Sequence, residues 1–261
     1  MTRSVQNKTQ ISVQLSISTT GAVNQKFDAL KVYPAEEVTT DNESHILVYG
    51  IDHSIKSGLS LHEVLDEAKK QDAVTIAPHP FSLLDALRED SVYCDLVEAF
   101  NSSNVDVYSN LRAKKFAKEK SLHVVAGSDS HVQSTIGRST NLIYSENKLD
   151  SIIAAMKHHK ITIKNTEYVQ PKEALEHIRY KIQNSAFFID KYTAQFYPRA
   201  LGPIKLLYKL YMINPEGIFW NMFYRMSIVA LRRISKKINF EGYDNRLFRE
   251  RNLANILKMV F

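Results

Sequence analysis

Asp129 and His131 stand two residues apart in Gly127-Ser128-Asp129-Ser130-His131, directly after the apolar run 122–126. Alternate residues of an extended segment share a face, so this carboxylate and imidazole can converge on one metal ion while small Gly127 and Ser128 leave room for a ligand. The competing reading of the pentapeptide alone is a polar loop with a helix-capping Asp or Ser. What decides between them is which other ligand-bearing residues the fold brings alongside.

Between about residues 31 and 165, short β-type runs alternate with helical ones. Strands are expected at Lys31–Tyr33, Ile46–Ile51, Val74–Ala77, Leu96–Phe100, His123–Ala126, Leu142–Tyr144 and Ile161–Ile163. Helices are expected at Leu61–Gln71, Ser82–Arg88, Val105–Glu119 and Leu149–His159. Such alternation predicts an α/β fold with mostly parallel strands, whose carboxyl ends collect the chemistry. Candidate ligands fall there: Glu37 after the first run, His79 after the third, Glu98 within the fourth, then Asp129 and His131. Prolines on both sides of His79 fix φ at its neighbours and remove backbone donors, which holds the imidazole in a stiff turn.

Composition bounds the remaining possibilities. The 261 residues, 44% of them hydrophobic, can bury a sizeable core. The single Cys94, in an apolar context, rules out a disulfide framework or thiolate cluster and reads as a buried structural residue in a reducing, cytoplasmic setting. No uncharged run reaches the roughly 18–20 apolar residues of a membrane span. From Pro171 onward there are 16 Lys+Arg against 7 Asp+Glu, whereas residues 1–170 carry 18 against 21. This shift divides the chain into residues 1–167 and a basic helical region, 168–261.

Five segments, in order, resemble the PHP (polymerase and histidinol phosphatase) family of metal-dependent phosphoesterases. They are Tyr33 to Thr40 with Glu37, His45 to Asp52, Ala77-Pro78-His79-Pro80, Val97-Glu98-Ala99-Phe100-Asn101 and Gly127 to His131. The resemblance covers about residues 11–145. It implies a distorted seven-stranded β/α barrel whose strand ends hold two or three divalent ions, here without its first strand and with an all-helical C-terminal extension. By motif position Glu37, His79, Asp129 and His131 would be metal ligands, with Glu98 and His45 as weaker carry-overs.

The front of the chain departs from that pattern. Family members begin with His-x-His and then Thr-Asp-His, yet no histidine precedes His45 here, and Gln14-Leu15-Ser16 stands where Thr-Asp-His is expected. Leu15 cannot ligate a hard cation, and Ser16 is a poor substitute for imidazole. Either the reading frame is truncated or misread upstream, or the chain is a degenerate relative; the retained spacing of the flanks favours a truncated or damaged copy.

The implied chemistry is hydrolysis of a phosphomonoester, nucleotide or oligonucleotide phosphate by metal-activated water. The oxygen and nitrogen donor set suits Mn, Fe or Zn, with Mg possible, and fewer ions are expected than in a complete site. Glu37 would bridge ions, His79 and Asp129 would complete their shells, and His131 would ligate or protonate the leaving oxygen. Arg138 would contact a substrate phosphate. Missing ligands predict weak or no hydrolysis, and the rival reading is a non-catalytic remnant that binds an ion or a phosphorylated ligand. His53, His62, His123, His158, His159 and His177 are expected on solvated or packed surfaces, and Lys114, Lys115, Lys118 and Lys120 on a helix's solvent side.

The basic region carries an amphipathic segment, Ile218 to Lys237, with Phe219, Met222, Phe223, Met226 and Val229 on one face and Asn221, Arg225, Arg232 and Lys236 on another. Packing of the aromatic face on the barrel or a partner subunit is expected. An anionic membrane surface and nucleic-acid phosphates are the alternatives.

Overall fold

A computed structural model describes residues 33–246. The segments 11–16 and 19–23, read above as flanks of a missing motif, lie outside the described residues. The elements run β1 (Ala35–Thr39), β2 (His45–Tyr49), α1 (Leu61–Lys70), β3 (Val74–Ala77), β4 (Leu96–Asn101), α2 (Tyr108–Glu119), β5 (Val124–Gly127), β6 (Ser139–Ile143), α3 (Leu149–Lys157) and β7 (Ile161–Thr166). Three helices follow: α4 (Pro171–Phe196), α5 (Leu201–Ile213) and α6 (Ile218–Phe240).

The α/β class holds, but the strands are less parallel than expected. β1–β5 form one sheet in sequence order, in which β1–β2 and β2–β3 pair antiparallel and β3–β4 and β4–β5 parallel. β6–β7 form a separate antiparallel pair. The short link 40–44 between β1 and β2 permits only a hairpin. Among the described residues the strands do not close into a barrel. Asn141 of β6 joins the two sheets by donating from Nδ2 to the Ala126 carbonyl (2.7 Å) and accepting from the Ala126 N–H (2.9 Å), much as a neighbouring strand would.

Two further expectations are corrected. The expected strand Lys31–Tyr33 lies outside the described residues except for Tyr33, and Glu37 lies inside a strand, Ala35–Thr39, rather than after one. No helix forms over 82–88, where positive φ at Asp85 (58°) and Arg88 (54°) breaks a helical path; a 3₁₀ turn at Arg88–Tyr93 follows instead.

The strand period sorts side chains to two faces. One face packs Val38, Ile46, Val48 and Val97 against Val64 and Ala68 of α1, a helix begun by a Ser60–Glu63 capping box. The other packs Tyr49, Val74, Ile76, Leu96 and Val125 against Ile152 and Met156 of α3 and against Ile143 and Ile161 of the β6–β7 pair. Cys94 is buried, as expected, and burial pushes its thiol up to about 12.

The tail is helical as expected, but α6 packs by the opposite face. Ile234, Ser235, Ile238 and Asn239 are buried, while Phe219, Met222, Phe223, Met226 and Val229 are exposed. The reason is polar. Asp106, buried ahead of α2, accepts from Ser235 Oγ (2.6 Å), Ser109 N–H (2.8 Å) and Ser109 Oγ (3.0 Å), and Asn239 donates to the Phe81 carbonyl (3.2 Å). These bonds require the Ser235 side of α6 to face inward. Asp106→Ala would leave three buried donors without their acceptor and is expected to lower stability by about 3 kcal/mol, measured by urea unfolding.

Candidate metal centre

On the inner face of the sheet, the apolar rows turn polar at one end. Ala35 is followed on that face by Glu37, Leu96 by Glu98 and Val125 by Gly127, while antiparallel β2 contributes His45 ahead of Leu47 and Tyr49. β3 ends at the same edge and delivers Pro78-His79-Pro80. His79 there has φ +29° and Asp129, past the end of β5, has φ +47°, left-handed conformations that a non-glycine residue holds only when its surroundings enforce them.

For His79 the enforcing group is Glu98. The buried Glu98 carboxylate accepts from the His79 N–H (2.7 Å) and Asn101 Nδ2 (2.8 Å). It occupies space a side chain on residue 127 would need: a Cβ on Gly127 would lie 1.5 Å from Glu98 Oε1. Burial, only partly offset by His79 and Asn101, pushes the Glu98 carboxyl up to about 7. A bulge between Glu98 and Phe100 re-aims the strand at this point.

Glu37, His45 and His79 converge. Their ligand atoms lie within 4.8 Å of one another; Glu37 Oε1 is 3.0 Å from His45 Nδ1 and 3.6 Å from His79 Nε2. The 3.0 Å approach is electrostatic and not directed as a hydrogen bond, so buried His45 Nδ1 has no hydrogen-bond partner. Ligands bound about 2.1 Å from one ion are spaced by about 3.0–3.4 Å, so the donor set and its spacing fit a divalent cation. Burial alone would raise the Glu37 carboxyl, but the two imidazoles hold it well below the usual carboxylate range. His79, although burial opposes its charge, is pushed up to about 9 by Glu37, Asp129 and Glu98.

The other expected site residues are placed differently. Asp129 and Glu98 line the same cavity as Glu37 and His79, about 110 Å³ with Leu47 and Ile76 on its apolar wall. Asp129 Oδ2 lies 3.4 Å from Asn101 Nδ2. His131 stays within its own loop, with Nδ1 3.0 Å from the Asp129 carbonyl, and it stacks on His177 of α4 at 4.4 Å between ring centroids. Arg138 is committed to carboxylates: its Nη1 donates to Glu167 (2.8 Å), and its Nε (3.1 Å) and Nη2 to Glu173.

His177 is the neighbour that sequence reasoning missed. Burial, with His131 and Lys181 adding to it, lowers its pKa to about 4, which keeps the ring neutral, and its Nε2 is buried without a partner. Nothing in the local sequence marked it, because its position depends on how α4 docks on the 128–138 loop. Ser134 Oγ donates to Glu176 (2.6 Å) in the same contact. Among the other histidines, His123 and His159 stack on each other and His62 lies edge-on to Tyr93. Lys114, Lys115, Lys118 and Lys120 are exposed along α2 and just past its end.

Residues 107–161 match the family model described as PHP-associated, which bears out the resemblance to the PHP family carried by the motifs. The chain is 28% identical over 158 residues to the uncharacterized protein MJ0417 of Methanocaldococcus jannaschii, covering 57% of this chain and 60% of that protein. It is 31% identical over 104 residues to MJ1587 of the same organism, covering 38% and 60%. The chain thus spans about three fifths of the length of both curated relatives. A solved structure, PsfC from Pseudomonas syringae, is similar at a TM-score of 0.42 and 14% identity over 58% of this chain and 66% of that one.

Without an ion, the Glu37–His79 pair ties stability to pH. Glu37 lies below its ordinary 4.5, so its contribution is present above that pH and lost in acid. His79 lies above its ordinary 6.5, so its contribution is complete below 6.5 and lost as pH rises through about 9. In chelator, above the pH where Glu98 titrates, the melting temperature of the native chain is expected to fall more steeply than that of Glu37→Gln between about pH 7 and 9.5. Parallel profiles would contradict the coupling.

Proposed function

We propose that this chain is a divalent-metal-dependent phosphoesterase of the PHP type, acting slowly on a phosphomonoester or on a nucleotide or oligonucleotide phosphate. The observation that carries the reading is the convergence of Glu37, His45 and His79 at the polar end of the sheet. In this reading β1–β7 belong to a distorted β/α barrel within residues 1–167, and 168–261 are an appended helical region. The contacts of Glu173, Glu176 and His177 with the 128–138 loop support a role for α4 in holding that loop.

The chain's residues divide the work. Glu37 would supply the anionic oxygen between two imidazoles, and His45 and His79 would supply ring nitrogens, His79 after losing its proton. Glu98 holds the His79 turn from behind. Asp129, across the cavity, presents a second carboxylate, and His131 at the exposed rim is placed to give a proton to a leaving oxygen. A bound divalent ion supplies neutralisation of phosphoryl charge and acidifies water. Arg138, held by two carboxylates, stiffens the loop in place of the phosphate contact expected from its position.

The non-catalytic alternative draws on one observation: a single cluster of three ligands meets among the described residues, and Asp129 and His131 are not part of it. Metal content and turnover separate the two. The native chain is expected to bind Mn²⁺ and hydrolyse p-nitrophenyl phosphate in a Mn²⁺-dependent way. Glu37→Gln and His79→Ala should weaken ion binding, read by calorimetry, and lower turnover by about 100-fold or more, as loss of a direct ligand exceeds the 10- to 100-fold cost of disturbing its supports. An ion bound without turnover would favour the remnant; turnover unaffected by His79→Ala would sink the proposed site.

A further inference from the structure

The solvent face of α6 is unusual in what it leaves uncovered. Ile218, Phe219, Met222, Phe223, Met226 and Val229 recur at helical spacing and are all exposed, from 53% at Val229 to 80% at Ile218. Ile213, at the end of α5 and separated from the start of α6 by four residues, is 79% exposed and adds apolar surface at the turn. The opposite side of α6 is fixed by the Asp106–Ser235 and Asn239–Phe81 bonds, so rotation cannot hide these side chains.

Beyond Val229 the same face becomes basic. Arg233 and Lys237 continue the three- and four-residue steps of the apolar stripe, and Arg225, Arg232 and Lys236 flank it. α6 holds five cations and no acid. Along the chain the nearest acids are Glu216 in the turn before it, then Glu241, which pairs with Lys236 at 3.3 Å, and Asp244, which pairs with Arg246; Asp106, bonded to Ser235, is buried on the opposite side of α6. A second copy docked on this face would bring cations toward cations with no acid within either helix to answer them. Nucleic acid would find phosphate partners in the second half, but would have no use for the aliphatic and thioether side chains of the first.

An anionic bilayer answers both halves. Apolar side chains enter the boundary between headgroups and acyl chains while neighbouring Lys and Arg meet lipid phosphates. No helix among the described residues is long and apolar enough to cross a membrane, so the contact lies in the plane of the interface. We propose that the exposed face of α6, with the Ile213 tip, seats this protein on an anionic lipid surface. The inference is independent of the phosphoesterase reading.

The test uses the full chain with vesicles of phosphatidylcholine alone or mixed with phosphatidylglycerol. Binding is followed by co-sedimentation and by the emission of Trp220, the single tryptophan, which packs against Phe219 and Tyr211 at the edge of the patch. Binding to the mixed vesicles, weakened by salt, with a blue shift of Trp220, is expected. Met222→Asp with Met226→Asp, and separately Arg225→Glu with Arg232→Glu, should each weaken it by about tenfold or more at unchanged melting temperature. All four positions are exposed; Arg232 also donates from Nε to the Val105 carbonyl (3.4 Å), so Arg225→Glu alone is the control for any change in melting temperature. No binding to anionic vesicles would overturn the proposal, as would binding that both variants leave intact. So would a dimer or a complex with a single-stranded oligonucleotide that the Met222/Met226 variant abolishes while the native chain ignores vesicles.

Discussion

The buried carboxylate of Glu98 ties three strand ends together. It accepts the His79 N–H from beyond β3, holds Asn101 at the end of its own strand, and occupies the space that a side chain at residue 127 of β5 would need. A carboxyl group in so dry a place would be costly without those donors, and its elevated pKa records that balance. Because His79 sits in a left-handed conformation between two prolines, the bond to its N–H sets where the imidazole points. The proposed ligand cluster therefore depends on a residue that lies behind it.

The rest of the molecule supplies rigidity and enclosure. One continuous face, packed on α3 and the β6–β7 pair, is apolar along most of its length and polar only where β1, β3, β4 and β5 end and β2 begins. Charge is thereby confined to one rim, where Glu37 and the two imidazoles answer each other. The helical region reaches this rim through α4: Glu173 holds Arg138, Glu176 holds Ser134 and His177 stacks on His131. α6 is locked beside the same rim by Asp106, which lines a cavity with His79, Asp129 and Leu231 and whose buried bond to Ser235 fixes which face the helix shows to solvent.

Much of this was legible in the sequence, unevenly. β3 and β4 were placed to within a residue because both are buried runs bounded by turn residues. The polarity of the tail was read correctly, but its orientation was not. Apolar periodicity shows that a helix has a face without showing which face is covered, and here a few buried polar residues, Ser235 and Asn239, decided against a longer apolar stripe. Mostly parallel pairing failed because alternation of strands and helices does not exclude a hairpin at the front. That hairpin explains His45, a weak carry-over by motif: in an antiparallel strand the first residue lies at the same edge as its neighbours' last ones. Arg138 and His177 are unreadable because their partners sit about 30 to 50 residues away, across contacts that no local pattern encodes.

Whether Glu37, His45 and His79 hold one ion can be read from anomalous diffraction of crystals grown with Mn²⁺. A manganese peak within bonding distance of Glu37 Oε1, His45 Nδ1 and His79 Nε2 is expected. A peak held only by Asp129 and His131, or no peak at the triad under saturating Mn²⁺, would contradict it.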